Sequence, residues 1–171
     1  MIDLSGLTNK KSSISIEEII DTINKNLTTE WSKKTRPYLL NYLRSYKFYC
    51  LRTKLKTSLL KDVLLPKHGH LKDYETGIIL FPNNVTVEEA VCAYKNPPQD
   101  YTEECSDLIL FFKEQIKTNG FIKEIIIEKS GNKLFHVDGL HRMIALSILI
   151  EEGFNCESIP IFLIEKMDYF K

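Results

Sequence analysis

The sequence predicts an α/β (α+β) fold, a small mixed sheet with helices, preceded by a helical N-terminal extension. Three observations carry that expectation. From residue 105 to 164 the apolar spacing switches between helical and alternating periods, in the order helix, strand, strand, helix, strand. The two adjacent strand runs are separated by Ser130-Gly131-Asn132, a tight-turn sequence that makes them a hairpin. Residues 31–61 instead have helical spacing, with nine Lys/Arg and no Asp or Glu. These contrasts divide the chain into a helical region, 1–75, with basic helices over 31–64, and an α/β domain, 76–171.

Each element follows from its residues. Residues 1–13 are a polar lead-in. Ser15 caps a short helix, with Glu17 and Glu18 in its first turn and Ile16, Ile19, Ile20 and Ile23 as its apolar face. Thr28 or Thr29 caps the next. Leu39, Leu43, Tyr46 and Cys50 fit one apolar stripe, and Leu51, Leu55 and Leu59 another. The expectation is one long helix, or two with a bend near residues 49–52. Arg44, Lys47, Lys54 and Lys61 then share a face, and Pro66 to Gly69 ends the helical region.

Gly77 to Phe81 reads as a strand, stopped by Pro82-Asn83-Asn84. Val85 to Val91 is a short strand or a turn plus strand. Asn96-Pro97-Pro98-Gln99-Asp100 is a loop, because two prolines force an extended path. Thr102, followed by Glu103 and Glu104, starts a helix carried by Leu108, Ile109, Phe112 and Ile116 and closed by Asn119-Gly120. Ile122 to Glu128 and Lys133 to Val137 are the hairpin strands. Gly139 to Glu151 is a helix with Ile144, Ile148 and Leu149 on its face, ended by Gly153. Ile159 to Ile164 is the last strand.

Composition narrows the function classes. The formal net charge is zero, which argues against a polyanion-binding field over the whole protein but not against a local patch. The four cysteines, Cys50, Cys92, Cys105 and Cys156, form no C-x-x-C pair and imply neither a metal site nor a disulfide framework. No apolar run approaches the roughly 18–20 residues that span a bilayer, and the first residues lack the basic flank and apolar core of a secretory signal. A cytoplasmic protein with reduced thiols and no membrane partner is expected.

The richest stretch is His136-Val137-Asp138-Gly139-Leu140-His141-Arg142. A strand stops at Asp-Gly and a helix begins with His and Arg in its first turn. Free amides at a helix N-terminus, helped by the helix dipole, suit a phosphate. There the amides of Leu140, His141 and Arg142 would face phosphate oxygens, and Gly139 would make the turn. Arg142 can grip two of those oxygens with its planar fork, and His141 can donate to another. Asp138 could hold Mg²⁺ or simply cap the helix.

The order of motifs from Val85 to Ile164 resembles the ParB/sulfiredoxin fold superfamily. The likeness rests on Asn96-Pro97-Pro98-Gln99 before a helix, on that helix ending at Gly120 before a strand, and on a hairpin into Gly139-Leu140-His141-Arg142. It closes on Ile159-Pro160-Ile161-Phe162-Leu163-Ile164. It covers about 80 of the 171 residues and leaves 1–75 without a counterpart. Sulfiredoxins carry a Cys where Leu140 stands. Chromosome-partition ParB proteins carry Gly-Glu-Arg-Arg at the junction, where this chain has Leu140-His141. The Asp-Gly-x-His-Arg form is similar to the branch that includes free-serine kinases.

That resemblance implies ATP or ADP as nucleotide, Mg²⁺, and a small hydroxylated acceptor such as serine. It places Gly120 and Lys123 beside the nucleotide, although Gly120 also reads as a C-cap and Lys123 as an exposed strand residue. It puts a catalytic carboxylate before the second helix, so Asp100, Glu103 and Glu104 are the candidate bases, with Asp138 a further catalytic acid. Glu88 and Glu89 are weaker alternatives. His68 and His70 form an H-x-H pair without an obvious third ligand, and His136 reads as packing. The alternative function is a nucleotide-gated or nucleic-acid-binding module without kinase activity. The basic helices 33–61, with Tyr38, Tyr42, Tyr46 and Tyr49 among them, would carry that partner.

Overall fold

The strands alternate side chains between two helical layers, and this decides where every helix lies. The structure, a computed structural model, describes residues 12–25, 30–67, 81–97, 104–121 and 123–167. Within them the order is β1 (Ser12–Ser13), α1 (Ile16–Lys25), α2 (Glu30–Ser45), β2 (Phe48–Lys56), α3 (Thr57–Leu60), β3 (Leu64–Leu65) and β4 (Val85–Thr86). Then come α4 (Val87–Lys95), α5 (Glu104–Asn119), β5 (Ile125–Ser130), β6 (Lys133–Asp138), α6 (Leu140–Glu151) and β7 (Ser158–Lys166).

The described strands form one mixed sheet in the order β1-β2-β7-β5-β6-β3-β4. β2 runs antiparallel to β7 through nine pairs, from Phe48 opposite Lys166 to Lys56 opposite Ser158. β5 is parallel to β7 and antiparallel to β6. The hairpin, α5, α6 and the final strand therefore stand as expected. Residues on both sides of position 75 contribute strands to this sheet.

On one face Leu55, Ile125, Ile127, Ile159, Ile161 and Leu163 pack under α3 to α6. On the other, Cys50, Ile126, Phe162 and Ile164 pack under Ile19 and Ile20 of α1 and Leu43 of α2. β5 is covered on both faces, so Ile125 to Glu128 are buried consecutively. α6 lies against α4 and α5 and is buried well beyond the expected face, adding Leu140, Met143, Ala145 and Leu146.

Two expectations are corrected. The basic region is not helical through residues 31–64, because Phe48–Lys56 is strand β2. Leu51, Thr53 and Leu55 point to one face, while Arg52, Lys54 and Lys56 are exposed on the other. Leu51 and Leu55 sit four apart, a spacing that puts two residues on one side of a helix and of a strand alike. The shared basic face of Arg44, Lys47, Lys54 and Lys61 dissolves with that helix, since Arg44 lies on α2, Lys54 on β2, and Lys47 and Lys61 in the connections after α2 and α3. The second correction is that Val85 to Val91 is mostly helix: two residues of β4, then α4.

The cause at α4 is a capping box. Thr86 accepts from the Glu89 amide at 3.2 Å, and the Glu89 carboxylate accepts from the Thr86 amide at 2.7 Å. Ser15 and Glu18 make the same exchange at α1, so the Ser15 cap stands. Thr86→Ala should lower stability by about 1 kcal/mol, read as a shift in the urea midpoint. An unchanged midpoint would mean that α4 does not depend on its cap.

Phe81 is described, but the rest of the Gly77–Phe81 strand lies outside the described residues. So do Thr28, Thr29, His68, His70 and Thr102. No helix among the described residues is long and apolar enough to cross a membrane.

Candidate functional site

The junction sits where β6 loses register. Ile126 pairs with Asp138 and Ile127 with His136, so Val137 is the extra residue of a bulge. Such a bulge bends the end of a strand and re-aims the residues beyond it. Gly139 then takes φ +99°, left-handed backbone, and becomes the residue before α6. It offers no side chain to cap the helix. The first helical bond runs from the Met143 amide to the Gly139 carbonyl at 3.0 Å. The amides of Leu140, His141 and Arg142 precede it, as the sequence suggests.

Glycine is required here for a second reason. A Cβ on Gly139 would lie 2.3 Å from Ile125 Cγ2 and 3.2 Å from Arg142 Nη2. Without one, β5 and the Arg142 side chain pass close under the turn.

Arg142 is already engaged. Its Nη1 donates to the Lys123 carbonyl at 3.2 Å and to the Glu124 carbonyl at 2.9 Å. Its Nη2 donates to Asp138 Oδ2 at 2.9 Å. The fork assigned above to phosphate oxygens thus spans the start of β5 and the end of β6. Burial lowers the Arg142 pKa from its ordinary value, and the Asp138 and Glu124 carboxylates act against that shift. The group stays cationic, as guanidinium does in proteins.

Lys123 is half-buried. Its ammonium has no ion pair or hydrogen bond among the described residues, whereas its carbonyl is held by Arg142. Glu124 is paired with Arg52 of β2, and its side chain is only 10% exposed. Gly120, at φ +71°, donates to the Ile116 carbonyl at 2.8 Å and ends α5. His141 and Asp138 are half-buried on either side of the Gly139–Leu140 turn, and Leu140 is buried in the core.

The structure thus gathers Asp138, Gly139, Leu140, His141, Arg142 and Lys123 around one turn. Asp100 and Glu103 lie outside the described residues. Glu104 is the first residue of α5, and nothing of its side chain is described. Glu88 and Glu89 are exposed in the first turn of α4, where Glu89 serves the capping box. No group of three or more His, Cys, Asp or Glu that could hold a metal occurs among the described residues.

Two features had no signal in the sequence. Glu124 and Arg52 join the junction from 18 and 90 positions away from Arg142. On the opposite face of the sheet, Tyr42 donates to Glu128, and Lys166 lies 3.4 Å from Glu128 and 4.3 Å above the Tyr46 ring.

Comparison of the chain with protein-family models, curated proteins and solved structures finds no match.

Proposed function

We propose that the chain binds a nucleotide through its phosphates at the Gly139–Arg142 turn and transfers a phosphoryl group to a small hydroxylated acceptor such as serine. One observation carries the reading. A glycine in left-handed backbone opens α6 without a side-chain cap, and Arg142 of its first turn bonds the carbonyl of Lys123, a half-buried lysine with no acidic partner among the described residues. A cation, the amides of a helix's first turn and a helix dipole favour the same ligand charge. The ParB/sulfiredoxin likeness belongs to this proposal and rests on the order of motifs.

In this reading the amides of Leu140, His141 and Arg142 and the Lys123 ammonium take the phosphate oxygens, and His141 adds a donor. Positive charge around the transferred group is the main requirement of phosphoryl transfer. Mg²⁺ bound to the nucleotide would offset phosphate charge. Asp138 is the acid at the turn that would reach it, through Oδ1, because Oδ2 is held by Arg142. The base belongs to the Asp100, Glu103 and Glu104 group.

Titration calorimetry with ADP and ATP, with and without Mg²⁺, tests the site. Lys123→Met and His141→Ala should each weaken nucleotide binding by about tenfold or more while leaving the melting temperature within a few degrees. Unchanged affinity in both variants would overturn the site. Mg²⁺-dependent turnover with serine or a related alcohol tests the reaction. Binding without turnover across an acceptor panel would favour a nucleotide-gated module over a kinase.

A further inference from the structure

We propose that the Arg142 side chain positions the phosphate site rather than binding the phosphate itself. By bonding the Lys123 and Glu124 carbonyls and the Asp138 carboxylate, it fixes Lys123 beside the first turn of α6. The inference deepens the proposed function and rests on it.

Three of the guanidinium's five N–H donors, and both of its Nη atoms, are already committed. Its Nη1 serves two carbonyls and its Nη2 serves a carboxylate, with the side chain 16% exposed. A phosphate that took the Nη1–Nη2 fork would displace two half-buried backbone carbonyls and the Asp138 carboxylate from their donor, and each lost bond weighs against it. The chain has also made room for the arrangement. Gly139 carries no Cβ where one would come 3.2 Å from Arg142 Nη2.

The same short backbone is tied from the other side. Arg52 of β2 holds the Glu124 carboxylate, while Arg142 holds the Glu124 carbonyl. Lys123 therefore sits on a segment anchored by two arginines, just after the glycine that ends α5. Its own ammonium is uncommitted among the described residues. A division of labour results: Lys123 and the α6 amides meet the anion, and Arg142, with Asp138, sets the distance between them. Asp138 in this role is the acid that orients the arginine.

The test compares Lys123→Met, Arg142→Lys and the double variant with the unmodified chain. The probes are inorganic phosphate and ADP in EDTA, so that no metal enters. Lys123→Met should weaken binding about tenfold. Arg142→Lys keeps the charge but cannot span two carbonyls and a carboxylate, so it should weaken binding by about the same factor. The double variant should be no weaker than Lys123→Met alone, because contacts acting through one another are not additive. Amide hydrogen exchange at residues 123–125 should speed up in Arg142→Lys and not in Lys123→Met, which a ligand-only role would not produce.

Full affinity in Arg142→Lys, or losses that multiply in the double variant, would overturn the inference. Should Arg142→Lys not fold, Asp138→Asn decides. An arginine that contacts phosphate directly would bind it more tightly once its competing carboxylate is gone, whereas a loosened staple would bind it equally or less tightly. Absence of phosphate and ADP binding in the unmodified chain overturns the site itself and this inference with it. That outcome is told apart because failure of the inference alone leaves the unmodified chain binding.

Discussion

Gly139→Ala should destabilise the protein by about 2–5 kcal/mol, a large part of the roughly 5–15 kcal/mol that holds a domain folded. Two effects add. An L-residue at φ +99° adopts a left-handed conformation that disfavours any Cβ, by about 1–2 kcal/mol. The new methyl would also stand 2.3 Å from Ile125 Cγ2 and 2.9 Å from Ile125 Cβ, in a fully buried side chain of β5. Overpacking of that kind costs about 1–3 kcal/mol. Gly120→Ala is the control. Its φ is +71°, but nothing lies within 4 Å of a Cβ there, so only the backbone effect of about 1–2 kcal/mol remains. Equal losses in the two variants, measured by urea unfolding, would show that the turn is not held tightly against β5. A larger loss at Gly139 should come with loss of ADP binding, because the same turn carries the α6 amides.

The second large effect is expected on the opposite face. Glu128 is 9% exposed, yet its carboxylate is partnered by the Tyr42 hydroxyl and by Lys166. Glu128→Ala should cost about 1–3 kcal/mol, since it leaves a half-buried phenol without its acceptor, while the partly exposed Lys166 ammonium loses only a screened partner. Tyr42→Phe alone should cost about 1 kcal/mol, and the double variant should fall short of the sum, because both remove one interaction.

A pH signature accompanies it. Burial, followed by the Glu128 contact, raises the Tyr42 pKa above its ordinary value of 10.0. The folded state then keeps a proton that the unfolded chain has released. This contribution is whole below about pH 10 and is lost as the pH rises through the folded pKa. Unfolding free energy measured at successive alkaline pH values should fall more steeply for the unmodified protein than for Tyr42→Phe. Parallel slopes would sink this account of the cluster.

Much of the C-terminal half was legible because local chemistry and global packing agree there. Ser130-Gly131-Asn132 joins β5 and β6, Gly120 and Gly153 end α5 and α6, and Asp138-Gly139 marks the strand–helix junction. α4 was legible in principle: Thr86-Val87-Glu88-Glu89 is a capping box, but the β-branched Val85, Val87 and Val91 favour a strand in the same stretch. β2 was not legible, because Leu51 and Leu55 satisfy both periods. Thr53 between them is the residue that breaks the tie, and its burial comes from packing rather than from its neighbours in sequence.

At the site, the sequence identified the turn but assigned its arginine outward. Arg142 finds Lys123 and Glu124 only once β5 lies beside β6.

That helices begin at Ser15 and Gly139, and that β5 turns back into β6, is written in the amino-acid order alone. Those choices are made by a few adjacent residues, through caps and left-handed glycines, and need nothing distant. That residues 48–56 are a strand, and that Arg142 bonds the Lys123 and Glu124 carbonyls, required the assembled sheet. A strand is completed by its neighbours' hydrogen bonds, here nine pairs with β7, more than 100 residues later. The acceptors of the half-buried Arg142 guanidinium are likewise supplied by segments that meet only when the sheet forms.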